Sequence, residues 1–112
     1  MKLVGRVPKS ALADGAMVRL PWPPFHVVVA LVDGKPYALE DACNHAGASL
    51  AEGDRKGKCV MCPMHGYLFE LTTGRLVEPR GLCDDQRTFV ADLEGEDVVV
   101  WDPGAGVAIV GA

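Results

Sequence analysis

The sequence predicts an all-β fold, an antiparallel β-sandwich or small barrel, on three observations. Short apolar runs follow one another at close spacing, separated by turn residues. No long stretch repeats its apolar residues at the helical period of 3.6. Thirteen glycines and eight prolines in 112 residues supply the many tight turns such a fold needs.

The elements follow in chain order. Residues 3–7, 16–20, 25–32 and 36–39 have the apolar, β-branched character of strands, and so do residues 58–61, 67–70, 88–93 and 98–101. Residues 9–15 (KSALADG) read as a single helical turn capped by Ser10. Asp33-Gly34 lies between two strand runs and predicts a two-residue hairpin turn; Glu94-Gly95-Glu96-Asp97 predicts a second. No internal repeat or low-complexity tract stands out. Residues 1–102 are expected to form one domain, with residues 103–112 an apolar tail that belongs to it or is mobile.

Bulk properties narrow the function. A formal charge of −4 and a pI near 5.2 argue against non-specific nucleic-acid binding, which needs a basic face. The acidic excess fits an ordinary soluble surface, and a second use would be steering toward a basic partner. The longest uninterrupted apolar run, residues 27–32, is far too short to span a membrane. Residues 1–6 hold no apolar stretch of secretory length, so the expected location is the cytoplasm, where cysteines bind metals more often than they pair.

Residues 43–70 concentrate the chemistry. Three of the four cysteines and two of the three histidines lie there. Cys43-Asn44-His45 is C-x-H and Cys62-Pro63-Met64-His65 is C-x-x-H, with 16 residues between His45 and Cys62. Three metal centres are compatible with parts of this set. A structural zinc site would take two thiolates and two imidazoles, and Cys59-Val60-Met61-Cys62 has the look of a zinc knuckle. A zinc ribbon needs a second C-x-x-C, which is absent, and in an extended segment Cys59 and Cys62 would face opposite sides. An all-cysteine cluster of Cys43, Cys59, Cys62 and Cys83 lacks the C-x4-C-x2-C spacing and leaves two histidines unexplained. The third centre is a 2Fe–2S cluster with mixed cysteine and histidine ligands.

Residues 43–79 resemble the cluster-binding region of Rieske proteins, whose pattern is C-x-H, a gap of about sixteen, then C-x-x-H. Gly47, Leu50 and Gly53 fit the first loop of that family; Pro63, Gly66, Tyr67, Phe69 and Gly74 fit the second, and Pro79 the third. The resemblance extends over roughly residues 3–101. It implies a Rieske-type sandwich with two cluster-binding loops at one end and one 2Fe–2S cluster per chain. Cys43 and Cys62 would hold the buried iron, and His45 and His65 the outer iron.

Two neutral imidazoles in place of two thiolates leave such a cluster less negative, so it accepts an electron more readily, at roughly −150 to +300 mV. Gly47 and Gly66 are expected to let backbone N–H groups approach the sulfides or to serve plain turn geometry, and both roles are compatible. Respiratory Rieske proteins carry a disulfide between the two loops, but Ala48 and Met64 occupy those positions here. Their sulfur-bonding serine and tyrosine correspond to Tyr67 and Phe69, so one hydroxyl is missing and a low potential is expected.

That combination resembles the soluble Rieske-type ferredoxins of bacterial ring-hydroxylating systems. It implies an electron-transfer protein, not an enzyme, with an NAD(P)H-dependent flavin reductase as donor and a terminal oxygenase as acceptor. Two alternatives stand beside it: the small subunit of a larger oxidoreductase such as nitrite reductase, and a zinc-stabilised interaction module. Outside the motif, Cys59 reads as a small buried hydrophobe, Cys83 as a thiol near the cluster loops, and His26 as structural. Trp22-Pro23-Pro24-Phe25 reads as core packing around a rigid turn, with a partner contact as the second reading.

Overall fold

The computed structural model describes residues 1–24, 26–43, 47–64, 66–79 and 84–104. Ten strands build two antiparallel sheets. The six-stranded sheet contains β1 (Lys2–Pro8), β2 (Val18–Leu20), β3 (Val27–Val32), β4 (Lys35–Glu40), β9 (Thr88–Glu94) and β10 (Asp97–Asp102), in the order β1-β10-β9-β4-β3-β2. The four-stranded sheet runs in sequence order through β5 (Asp54–Lys56), β6 (Cys59–Met61), β7 (Leu68–Glu70) and β8 (Leu76–Glu78).

The large sheet curls until its edges approach. Gly5 lies on β1 beside a register shift, and a Cβ there would touch Leu20 of β2 at 3.6 Å. That is ordinary contact distance, so the edges of the nearly closed barrel lie within packing reach of each other. Val7, Val27, Val29, Ala38, Phe89, Val98 and Val100 fill its interior, and Leu12 joins the same cluster. Leu12 comes from Lys9–Gly15, which folds into 3-10 turns and not the Ser10-capped turn expected from sequence. Pro8 takes the N-cap position, no side chain caps it, and Ala13 and Asp14 leave helical geometry.

A second core lies between the barrel and the small sheet. It contains Val28, Ala30 and Val32 of β3, Leu39 of β4, Val60 of β6, Phe69 of β7 and Leu76 of β8. β3 therefore has both faces buried. That explains its unbroken apolar sequence, where a half-exposed strand would alternate.

Both predicted hairpin turns are present. Asp33 (φ 52°) and Gly34 (φ 79°) connect β3 to β4 with the paired positive φ of a type I′ turn. Gly95 and Glu96 connect β9 to β10 across the Glu94–Asp97 pair. Six of the eight predicted strands recur within one residue at each end. The exceptions are β2 and β3, each two residues shorter at its start than residues 16–20 and 25–32 predict. The shortening of β3 has a local cause. His26 has φ 62°, its N–H donates to the Trp22 carbonyl, and its Nδ1 accepts the Trp22 N–H, so the backbone turns there before extending. His26 is thus structural, as the sequence suggests. Trp22 packs on the barrel core, and its indole N–H donates to Asp102 Oδ2 at 2.8 Å. Phe25 lies outside the described residues, as does the tail beyond Gly104.

Candidate metal centre

Two loops, one from each sheet, bring Cys43 and Cys62 into the second core. The first follows β4 and the second connects β6 to β7. Their backbones close in the same way. In the first, the Cys43 N–H donates to Ala48 O (2.8 Å) and the Gly47 N–H to Cys43 O (2.6 Å). In the second, the Cys62 N–H donates to Tyr67 O (2.7 Å) and the Gly66 N–H to Cys62 O (3.0 Å). Each loop is a six-residue turn with Cys first, Gly fifth, and Gly in the left-handed region at φ 72° and 70°.

This is a repeat at the scale of one loop, C-x3-G, which a search for longer repeats passes over. Its geometry shows the turn role of these glycines. The N–H groups of Gly47 and Gly66 donate back to their own cysteine carbonyls, so what these glycines supply is the positive φ that closes each turn.

Cys43 and Cys62 are each 1% exposed and belong to the same apolar cluster. The two thiols thus occupy equivalent positions of equivalent loops, out of contact with water. This is a fit for the two-cysteine half of a 2Fe–2S site, which needs thiolates from separate loops on one shielded iron. No disulfide joins the described cysteines. His45 and His65 lie outside the described residues, together with Cys83. Among the described residues no three Cys, His, Asp or Glu side chains gather as a metal site.

Cys59 stands apart from the pair. Val60 of β6 and then Cys62 face the core, so Cys59 faces the other side, half-buried beside Glu70 of β7. Burial pushes the Cys59 thiol above its ordinary pKa, Glu70 pushes it the same way, and Lys58 opposes them. Cys59 and Cys62 thus face opposite sides of the chain, an arrangement that does not suit a knuckle.

The roots of the two loops differ. The second loop continues the β6–β7 ladder, in which Met61 pairs with Leu68 and Val60 with Phe69. Gly53 packs so closely behind it that a Cβ there would run into the Met61 carbonyl oxygen. Pro63 and Met64 at its turn are exposed, Met64 by 62%.

The first loop has a single strand-like bridge, Ala42 with Ser49, and is held by buried polar side chains instead. Asp41, 2% exposed, takes the Ala51 N–H on Oδ1 at 2.8 Å, and its carbonyl takes the Leu50 N–H. The Gln86 side-chain amide, also buried, donates to Glu40 O (2.8 Å) and Ala42 O (2.9 Å), on either side of Asp41. The backbone N–H of Gln86 reaches Gly74 O, where a Cβ on Gly74 would meet Gln86 O. Sequence reading singled out neither Asp41 nor Gln86.

The family described as "Rieske [2Fe-2S] domain" matches residues 6–85. The chain belongs to this family. Its cofactor is accordingly a 2Fe–2S cluster. The chain is 38% identical over 89 residues to the biphenyl 2,3-dioxygenase ferredoxin component of Rhodococcus jostii, covering 80% of this chain and 82% of that protein. It is 32% identical over 112 residues to the 3-phenylpropionate/cinnamic acid dioxygenase ferredoxin subunit of Shigella boydii, covering 94% and 98%. A solved structure, "Complex of reduced oxygenase and oxidized ferredoxin in carbazole 1,9a-dioxygenase", contains a chain similar to this one. It matches with a TM-score of 0.77 at 27% identity, over 90% of this chain and 91% of that one. The Rieske ferredoxin reading and the antiparallel sandwich both stand, and with them an electron-transfer role in place of an enzymatic one. Among the described residues, no helix is long and apolar enough to cross a membrane.

Proposed function

We propose that this chain is the one-electron carrier of a ring-hydroxylating oxygenase system, holding one 2Fe–2S cluster on Cys43, His45, Cys62 and His65. The observation that carries the reading is the pair of buried thiols at matching positions of two loops with the same closure. Cys43 and Cys62 hold the inner iron in the apolar cluster that excludes water. His45 and His65, two residues after Cys43 and three after Cys62, supply the neutral ligands to the outer iron. When bound, the cluster stores one electron.

Phe69, wholly buried in the core, offers no hydroxyl for a sulfur, which supports a potential at the low end of the Rieske range. The electron donor in this reading is a flavin-containing NAD(P)H reductase and the acceptor a terminal oxygenase, in the cytoplasm. Relatives named as dioxygenase ferredoxins support that placement over the small subunit of a nitrite reductase. The orientation of Cys59, on the side of β6 opposite to core-facing Val60 and Cys62, counts against the zinc-stabilised module.

Visible absorption and low-temperature EPR before and after dithionite test the proposal. A brown protein is expected, EPR-silent as purified, with a reduced signal whose average g lies below that of all-cysteine clusters. A colourless protein from iron-replete cells with one equivalent of zinc would overturn it.

A further inference from the structure

Asp41 is the one buried carboxylate beside the first loop, and its structural duties do not require a charge. Oδ1 accepts the Ala51 N–H at 2.8 Å, a task an amide oxygen performs equally well. Oδ2 faces Arg19 Nη1 at 4.0 Å, beyond hydrogen-bond length, and Arg19 is itself half-exposed. The carboxylate is therefore incompletely neutralised. Asp41 and Cys43 are both buried, with Ala42 between them half-exposed. Two residues along the chain place their Cα atoms no more than about 7 Å apart. At that range, in surroundings shielded from water, a fixed charge acts on its neighbour far more strongly than it would in solvent.

Resting on the cluster reading above, we infer that Asp41 is a positioning residue that sets the reduction potential, its negative charge disfavouring the electron and Arg19 partly offsetting it. Reduction brings in one electron from the donor and transfers no atom, so the site becomes one unit more negative beside a carboxylate already present. A buried, unscreened charge has the larger effect, and the solvent-exposed guanidinium the smaller. Gln86 holds the backbone on either side of Asp41 and the Ala51 N–H holds its carboxylate, which fixes the charge in place.

A mediated redox titration of the holoprotein, followed by EPR, tests this. Asp41→Asn keeps the Ala51 acceptor and is expected to raise the potential with the reduced EPR line shape retained. Arg19→Met is expected to lower it by a smaller amount, and Arg19→Lys to return it to near the wild-type value. An Asp41→Asn protein with an unaltered spectrum and an unmoved or lower potential would overturn the inference. If Asp41→Asn loses its cluster, Arg19→Met decides: a lowered potential supports the inference, and an unmoved or raised one overturns it. A wild-type protein lacking the Rieske-type signal altogether overturns the cluster reading itself, and this inference with it.

Discussion

The two cysteine loops share a backbone and differ in what supports it. The second is the end of a hairpin: three residue pairs of the β6–β7 ladder lead straight into Cys62, and main-chain hydrogen bonds fix its position. The first hangs from β4 by one isolated bridge, and Asp41 and Gln86 supply from side chains what the ladder supplies to its twin. A strand ladder positions a ligand cheaply in sequence terms, because any residues of suitable propensity will pair. A loop without a ladder needs particular polar side chains, buried and fully satisfied.

The largest expected effects test the equivalence of the two loops. Cys43→Ser and Cys62→Ser should each abolish the cluster, whereas Cys59→Ser should keep all of its iron; iron content and visible absorbance read the three directly. Retention of iron by either of the first two would break the symmetry.

The next effect separates the two modes of support. Gly53→Ala drives a Cβ into the Met61 carbonyl behind the second loop and should cost about 3 kcal/mol in a denaturant titration. Gln86→Leu leaves the Glu40 and Ala42 carbonyls at the first loop's root without that donor, at about 2 kcal/mol. Amide exchange should show the first loop losing protection in Gln86→Leu while the β6–β7 hairpin keeps its own.

Acid distinguishes the roots by sign. A hydrogen bond from Thr73, with Lys58 also contributing, holds the Glu70 carboxyl on β7 below its ordinary value despite burial. Its stabilising contribution is complete above pH 4.5 and disappears as pH falls through the lower folded-state value. Burial pushes Glu40, at the end of β4, the opposite way, with Arg87 opposing. Its contribution is present below 4.5 and lost as pH rises through the raised value. Exchange measured below pH 4.5 should therefore show the hairpin of the second loop weakening before the end of β4.

The smallest effect belongs to Lys58→Ala. Its ion pair with Glu70 spans 3.5 Å at an exposed site, so the change should stay within about 0.5 kcal/mol.

Much of this was legible in the sequence because it rests on local signals. Asp33-Gly34 announces its own turn, the alternating and continuous apolar runs mark the long strands, and C-x-H with C-x-x-H marks the cluster loops. β5 and β8 were not legible: DRK and LVE are three residues each, too short to show a period, and they are strands only because β6 and β7 pair with them. Gln86 was hidden for a different reason. Its value lies in reaching two carbonyls more than forty residues earlier, a relation that no local pattern records. Asp41 sits two residues from Cys43, yet an aspartate before a loop is common, and only its burial distinguishes it. The C-x3-G repeat was present in the letters throughout; the differing histidine spacings, two residues in one loop and three in the other, obscured it.

The central claim is that Cys43 and Cys62 share one iron while a chemically different pair of ligands holds the other. Mössbauer spectroscopy of isotopically enriched protein tests it most directly. Two equal-intensity quadrupole doublets with distinct isomer shifts are predicted, only one of which becomes ferrous when the protein takes up a single electron. A single doublet from equivalent irons, or an enriched preparation that binds no iron, would contradict the account.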